Sequence, residues 1–212
     1  MGSSQSPEIY RNCFRNLTPS CAPNDFAQYD SNGNIIYFLR KNYIGGSNEV
    51  LNIYDTYEKL IGSIKKIEEP LHKINYLFYD QNNNLLFSIE KIYSNGVNYY
   101  IYDKNKNKES LITQSNFLDT YTYTELDNYG NKKSWAKSRT ECNCLVYNEY
   151  DNYDSQIYAL RSYTECFYRR IVLLDRDNME INLENRFLLD NSFTNIQKVL
   201  LLNKFISESR ID

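Results

Sequence analysis

One short pattern returns seven times along this chain, and it constrains the fold more than any single motif could. An apolar residue followed by Asp, then a polar turn and an apolar run, occurs at Tyr29-Asp30, Tyr54-Asp55, Tyr79-Asp80, Tyr102-Asp103, Leu126-Asp127, Tyr150-Asp151 and Leu174-Asp175. Successive Asp residues are 25, 25, 23, 24, 24 and 24 positions apart. Spacing this regular marks a chain built from one supersecondary unit used repeatedly. Each unit reads as a strand ending in Asp, a tight turn such as Asp30-Ser31-Asn32-Gly33-Asn34, and a return strand such as Ile35 to Leu39. Asp, Asn and Gly supply the side-chain bonds to backbone and the positive φ angles of such turns. The flanking runs alternate as strands do: Ile74, Tyr76 and Phe78 face one way and Asn75, Leu77 and Tyr79 the other. One repeat is therefore one hairpin.

The last stretch breaks the pattern. Between residues 192 and 209, Phe193, Ile196, Val199, Leu200, Leu201, Leu202, Phe205 and Ile206 recur mostly three and four apart, and Asn191 or Ser192 can cap the start. Lys198, Asn203 and Lys204 interrupt the run, which is too short to span a membrane, a task needing about 20 mostly apolar residues. A helix of this kind calls for burial. Six or seven hairpins would give about twelve to fourteen strands, too many for a comfortable open sheet. The expected fold is mainly β: a closed antiparallel barrel of about twelve strands, made of hairpin repeats and wrapped around the C-terminal helix. Residues 26–212 form the single domain and residues 1–25 a flexible N-terminal segment.

Composition narrows the function. A formal charge of −3 argues against a general nucleic-acid binder. Twenty-one Tyr and ten Phe suit pleated, half-buried surfaces. The five Cys, at 13, 21, 142, 144 and 166, form neither a disulfide framework nor a Cys-x-x-Cys zinc site, and they fit a reducing, cytosolic setting. His72 is the only histidine. With no second imidazole, Gly-rich phosphate loop or Gly-x-Ser-x-Gly elbow, no catalytic constellation is legible.

The run from Asp30 through Asn34 to Leu39, followed by Ile53-Tyr54-Asp55 and Leu60-Ile61-Gly62-Ser63-Ile64, resembles the hairpins of the tubby-like superfold. That superfold, a twelve-stranded barrel around a hydrophobic C-terminal helix, includes the LURP-one-related proteins and the phospholipid scramblases. Glu165-Cys166-Phe167, then Asp175-Arg176-Asp177-Asn178-Met179-Glu180-Ile181, is similar to the scramblase segment before the terminal helix, in which an Asp-x-Asp-Asn-x-x-Ile stretch is proposed to bind calcium. The resemblance implies a scramblase-like protein that binds or translocates anionic phospholipids under calcium control. It would sit peripherally on the cytoplasmic face of a membrane, such as the plasma membrane, with a protein partner or self-association also open. The alternative is a non-catalytic LURP-one/tubby-like module that binds phosphoinositides or proteins.

Three groups of residues are candidates for sites. Asp175, Asp177, Asn178 and Glu180 offer oxygen ligands for calcium, although the same residues make an ordinary hairpin turn. Lys133, Trp135, Lys137 and Arg139 fall on one face of a strand at period two and could hold an anionic headgroup, with Arg169-Arg170 as a weaker patch; exposed lysines beside a packed Trp read the same way. Met1-Gly2-Ser3-Ser4-Gln5-Ser6 matches the N-myristoylation pattern at Gly2, or is a polar tail. One acyl chain anchors only marginally, so palmitoylation of Cys13 and Cys21 would supply the second signal; each Cys also reads as a small hydrophobe. Cys142 and Cys144 make a poor chelate and read as two thiols.

Overall fold

A computed structural model describes residues 25–29, 35–43, 49–94, 96–141, 144–164, 169–181 and 192–208. Fourteen strands and one helix are found among them. The strands are β1 (Asp25–Tyr29), β2 (Ile35–Tyr43), β3 (Glu49–Asp55), β4 (Leu60–Glu69), β5 (Lys73–Asp80), β6 (Leu85–Ser94) and β7 (Gly96–Asp103). They continue with β8 (Lys108–Phe117), β9 (Thr120–Leu126), β10 (Lys132–Glu141), β11 (Cys144–Asp151), β12 (Gln156–Thr164), β13 (Arg169–Asp175) and β14 (Glu180–Ile181). The helix, α1, spans Asn195–Glu208. The strands form one antiparallel sheet in which every strand pairs with its neighbours in sequence.

The repeated Asp explains one end of this meander. At Asp55, Asp80, Asp103, Asp127, Asp151 and Asp175 the backbone N–H donates to the carbonyl four residues on, at 2.9–3.0 Å. The side-chain Oδ1 accepts the N–H groups two and four residues on, at 2.8–2.9 Å. Each residue three beyond the Asp has a positive φ, from 60° at Asn178 to 86° at Gly130. These are three-residue hairpin loops, a type I turn closed by a left-handed residue, and the Asp carboxylate takes up amides that the ladder leaves unpaired. Where Asn stands four residues on, as after Asp80, Asp103 and Asp127, its side-chain amide holds the carboxyl below the usual carboxylate range. The turn at 30–34 lies outside the described residues.

The inner face of the sheet carries the core. Leu39, Ile53, Phe78, Ile89, Ile101, Ile112 and Leu160 are all but inaccessible, and they form one cluster with Phe193, Ile196, Val199 and Leu202 at and within the helix. Every residue from Ile196 to Leu202 is buried. Thr194 caps α1: its Oγ1 accepts the Gln197 N–H at 3.1 Å, and the Gln197 Oε1 accepts the Thr194 N–H at 3.1 Å, a reciprocal capping box. The cap is thus Thr194 rather than Ser192, because Thr194 directly precedes the first helical residue, Asn195, and stands three before Gln197; Asn191 lies outside the described residues. The side chains of Phe205 and Ile206 lie outside the described residues.

The sheet is not closed into a barrel, which corrects the expectation of a closed barrel of about twelve strands. It has fourteen strands, and no backbone ladder joins β1 to β13 or β14 among the described residues. Yet the sheet curls until β1 lies beside β13. The fully buried Gln28 spans the gap: its Nε2 donates to the Ile171 carbonyl at 2.7 Å and its Oε1 accepts the Ile171 N–H at 3.4 Å. A side-chain amide here does the pairing that a strand peptide would do in a barrel. Among the described residues β14 pairs with Leu173 and Leu174, and Ile171 is met by Gln28.

Candidate functional site

The expected headgroup stripe on β10 is rearranged by a bulge. Lys132 pairs with Leu126 and Ser134 with Glu125, so Lys133 is the extra residue, and the alternation of faces shifts there. Trp135, Lys137 and Arg139 keep one face, opposite the buried Ser134, Ala136 and Ser138. Lys133 leaves that face: its Nζ lies 3.0 Å from Oε1 of the buried Glu125. Lys132 takes its place beside Trp135, with Nζ 5.4 Å from the indole centroid. The indole stacks on Tyr150 at 4.4 Å and donates through Nε1 to Asp154 at 2.8 Å, while Lys132 bonds the same carboxylate at 3.0 Å. That ammonium holds the Asp154 carboxyl below its usual range. The Trp N–H and the nearest cation are therefore already engaged with an acid, which suits a packed surface cluster better than an anion site.

Asp175, Asp177 and Asn178 occupy the sixth described copy of the Asp turn. The Asp175 Oδ1 accepts the N–H groups of Asp177 and Met179, both at 2.9 Å, and Asn178 is the left-handed residue, with φ 60°. Asp177 lies 3.8 Å from the Arg176 Nε. The geometry is that of the five preceding turns. Gly2, Cys13, Cys21 and Cys142 lie outside the described residues, as do the side chains of Cys144, Arg169 and Arg170.

Two pockets flank the helix, one at each end. At the Asp-turn end an opening of about 650 Å³ lies beside the start of α1 and is bordered by Glu125, Lys133 and Glu149. In the repeat, the position two before the Asp is Ile53, Phe78 and Ile101 in earlier units, and all three are core residues. Glu125 and Glu149 fill that same position in the next two units, where they are 3% and 2% exposed. The Glu125 carboxylate is well supplied: Oε1 accepts from Lys133 at 3.0 Å and Asn195 at 3.1 Å, and Oε2 accepts from Ser134 at 3.0 Å. Glu149 is not, because Oε2 bonds the Thr194 hydroxyl at 3.0 Å but Oε1 has no partner. Burial pushes its carboxyl up to about 8.

At the opposite end, about 370 Å³ is lined by six tyrosines together with Lys91, Lys204 and Asn203. Tyr76, Tyr99, Tyr123 and Tyr147 each stand four residues before an Asp, on β5, β7, β9 and β11, and so form an inward row. Tyr99 donates to the Gln114 Oε1 at 2.9 Å and accepts from the Asn203 Nδ2 at 2.9 Å, which ties the row to α1. Lys91 lies 4.9 Å from the Tyr93 ring centroid and 5.4 Å from that of Tyr99. Burial raises the Tyr99 and Tyr123 phenols and pushes Tyr147 up to about 12, so all three remain hydrogen-bond donors at neutral pH. No Asp or Glu lines this pocket among the described residues. Around the same end the turns expose apolar side chains: Leu71, Phe117 and Leu118 are 90%, 76% and 82% accessible.

Sequence reasoning missed both pockets, although a signal was present in each. Tyr recurs at the fourth position before Asp in four consecutive units, and Glu replaces an apolar residue at the second position in two. In comparisons with known proteins, neither a family model nor a curated sequence matches this chain.

Proposed function

We propose that this chain is a non-catalytic, scramblase-like lipid-binding protein that docks on membranes through the tyrosine-lined end and holds an anionic phospholipid headgroup there. In this reading α1 is the centre around which the sheet is wrapped, as in the tubby-like superfold. The observation that carries it is the coincidence, at one end, of a pocket with two lysines, six phenols and, among the described residues, no carboxylate, and a rim of exposed Leu71, Phe117 and Leu118. Phenol and ammonium donors suit phosphate oxygens, and exposed apolar turns suit the membrane interface, whereas in water they would be a liability. The headgroup site moves from Lys133, Trp135, Lys137 and Arg139 to Lys91 and Lys204. Calcium at Asp175, Asp177 and Asn178, and acylation at Gly2, Cys13 and Cys21, remain accessory parts of the proposal.

The test is flotation of the full-length protein with phosphatidylcholine liposomes, with and without phosphatidylserine or phosphoinositide, and with and without calcium. Each cation near an anionic surface is worth about 1 kcal/mol, so Lys91→Glu, which removes one and adds an opposing charge, should weaken binding by about 30-fold. Phe117→Ser with Leu118→Ser should also release the protein. Equal flotation of parent and Lys91→Glu would remove this site from the proposal, and Gly2→Ala reports separately on the acyl anchor.

A further inference from the structure

Glu149 stands out at the other end of the molecule. Carboxylates are almost never fully buried unless paired. Here Oε2 is bonded by Thr194, while Oε1 is closed to solvent without a hydrogen bond, as is the Nε2 of the neighbouring Gln197 amide; Glu149 lines a 650 Å³ opening. The repeat shows that this position holds an apolar core residue in other units, so the acid is a departure from a fold that works without it.

The surroundings narrow what could meet that oxygen. The walls include the apolar side chains of Leu86, Phe87, Ile157 and Phe193. The charged groups lining the same opening are Asp103 and Lys104 from the β7–β8 turn, Glu109 on β8, Glu125 on β9, Lys133 on β10 and Lys198 on α1; Glu125 is the one whose charge acts on Glu149. Of these, Asp103 is spent on its own turn, Lys133 is spent on Glu125, and Lys198 lies 4.7 Å from the Phe87 ring centroid. The neighbouring Glu125 already shows which partner this environment accepts, since it pairs with an ammonium. A calcium ion, by contrast, needs six to eight oxygens, and both Glu125 oxygens are already bonded to Lys133, Asn195 and Ser134. The opening is also far larger than an ion requires: one water occupies about 30 Å³ of liquid.

We propose that this pocket binds a small organic ammonium ion on a compact apolar body, with Glu149 as its counter-ion and the Phe87–Phe193 wall as its apolar contact. The ammonium N–H donates to Oε1 while Thr194 continues to hold Oε2. Binding converts a neutral buried acid into an ion pair, so the acid must release its proton to solvent. With the carboxyl raised to about 8, Glu149 is mostly protonated at pH 7, and each binding event should release most of one proton.

Titration calorimetry of the full chain with 2-phenylethylamine, in phosphate and in Tris at pH 7, tests this directly. The amine should bind at least tenfold more tightly than 2-phenylethanol, and the difference in enthalpy between buffers should report close to one proton released. Glu149→Gln keeps an oxygen for Thr194 and should lose at least tenfold in affinity together with the proton release. Ile157→Lys, which tethers an ammonium in the pocket wall without touching Glu149, should also block the amine. The proposal is overturned if the alcohol binds as well as the amine, if no proton is released, if no amine binding is seen, if calcium displaces the amine, or if both variants bind like the parent.

Discussion

Glu149 makes the fold sensitive to pH in a way that can be isolated. Its carboxyl is raised from 4.5 to about 8, chiefly by burial, with a smaller contribution from the nearby Glu125 charge. Below pH 4.5 it is protonated in both folded and unfolded chains and favours neither. Between pH 4.5 and 8 the unfolded chain gives up the proton while the folded chain keeps it, so the folded state loses about 1.4 kcal/mol per pH unit from this group. Above pH 8 the loss levels off at about 5 kcal/mol, a large share of the 5–15 kcal/mol that typically stabilises a domain. Glu149→Gln removes the titration and retains the bond to Thr194. Relative to the parent, the variant should be equal in stability near pH 4.5, about 3 kcal/mol more stable at pH 7 and about 5 kcal/mol more stable at pH 9. Urea unfolding from pH 4.5 to 9 measures this, because subtracting variant from parent cancels every titration the two chains share. A difference that stays constant with pH would refute the assignment of a neutral, buried Glu149.

Gln28→Ala should cost about 1–3 kcal/mol by leaving the Ile171 N–H and carbonyl unpaired, measured as a lower urea midpoint; an unchanged midpoint would mean that β1 and β13 hold together without it. Lys106 and Gly130 stand at the same place in successive turns, with φ of 65° and 86°. Lys106→Gly should stabilise by about 0.5–1 kcal/mol, and Gly130→Ala, whose new Cβ meets nothing within 4 Å, should destabilise by about the same. Thermal melts of both check the pair, and like signs would contradict the turn assignment.

The hairpin unit was legible because Asp does the same local work in every copy, and local work leaves a local signature. The helix was legible from its apolar spacing. Closure was not: whether a curled sheet meets itself depends on twist accumulated over fourteen strands, and among the described residues the hydrogen bonds across the ends come from a side chain, Gln28. Period-two reasoning correctly grouped Trp135, Lys137 and Arg139, but it misplaced Lys133, because the bulge beyond the Asp127 turn inserts one residue and reverses the faces before it. The tyrosine row went unnoticed because Tyr favours strands in general, so its abundance concealed its placement. Glu125 and Glu149 were hidden differently: nothing about Glu in a strand announces burial until the repeats are aligned on their Asp residues.

Nearest-neighbour pairing throughout the sheet also sets the order in which the molecule can assemble. Each hairpin finds its partner strand in the residues just made, so the sheet can grow stepwise as the chain leaves the ribosome. The helix comes after all fourteen strands, yet Ile196, Val199 and Leu202 belong to the same core as the strands' inner residues. Until residues 195–208 have been synthesised, that inner face has no cover. A nascent chain stalled just short of α1 would carry a nearly complete sheet with its stickiest surface open to chaperones, and the emergence of α1 would be the step that covers it.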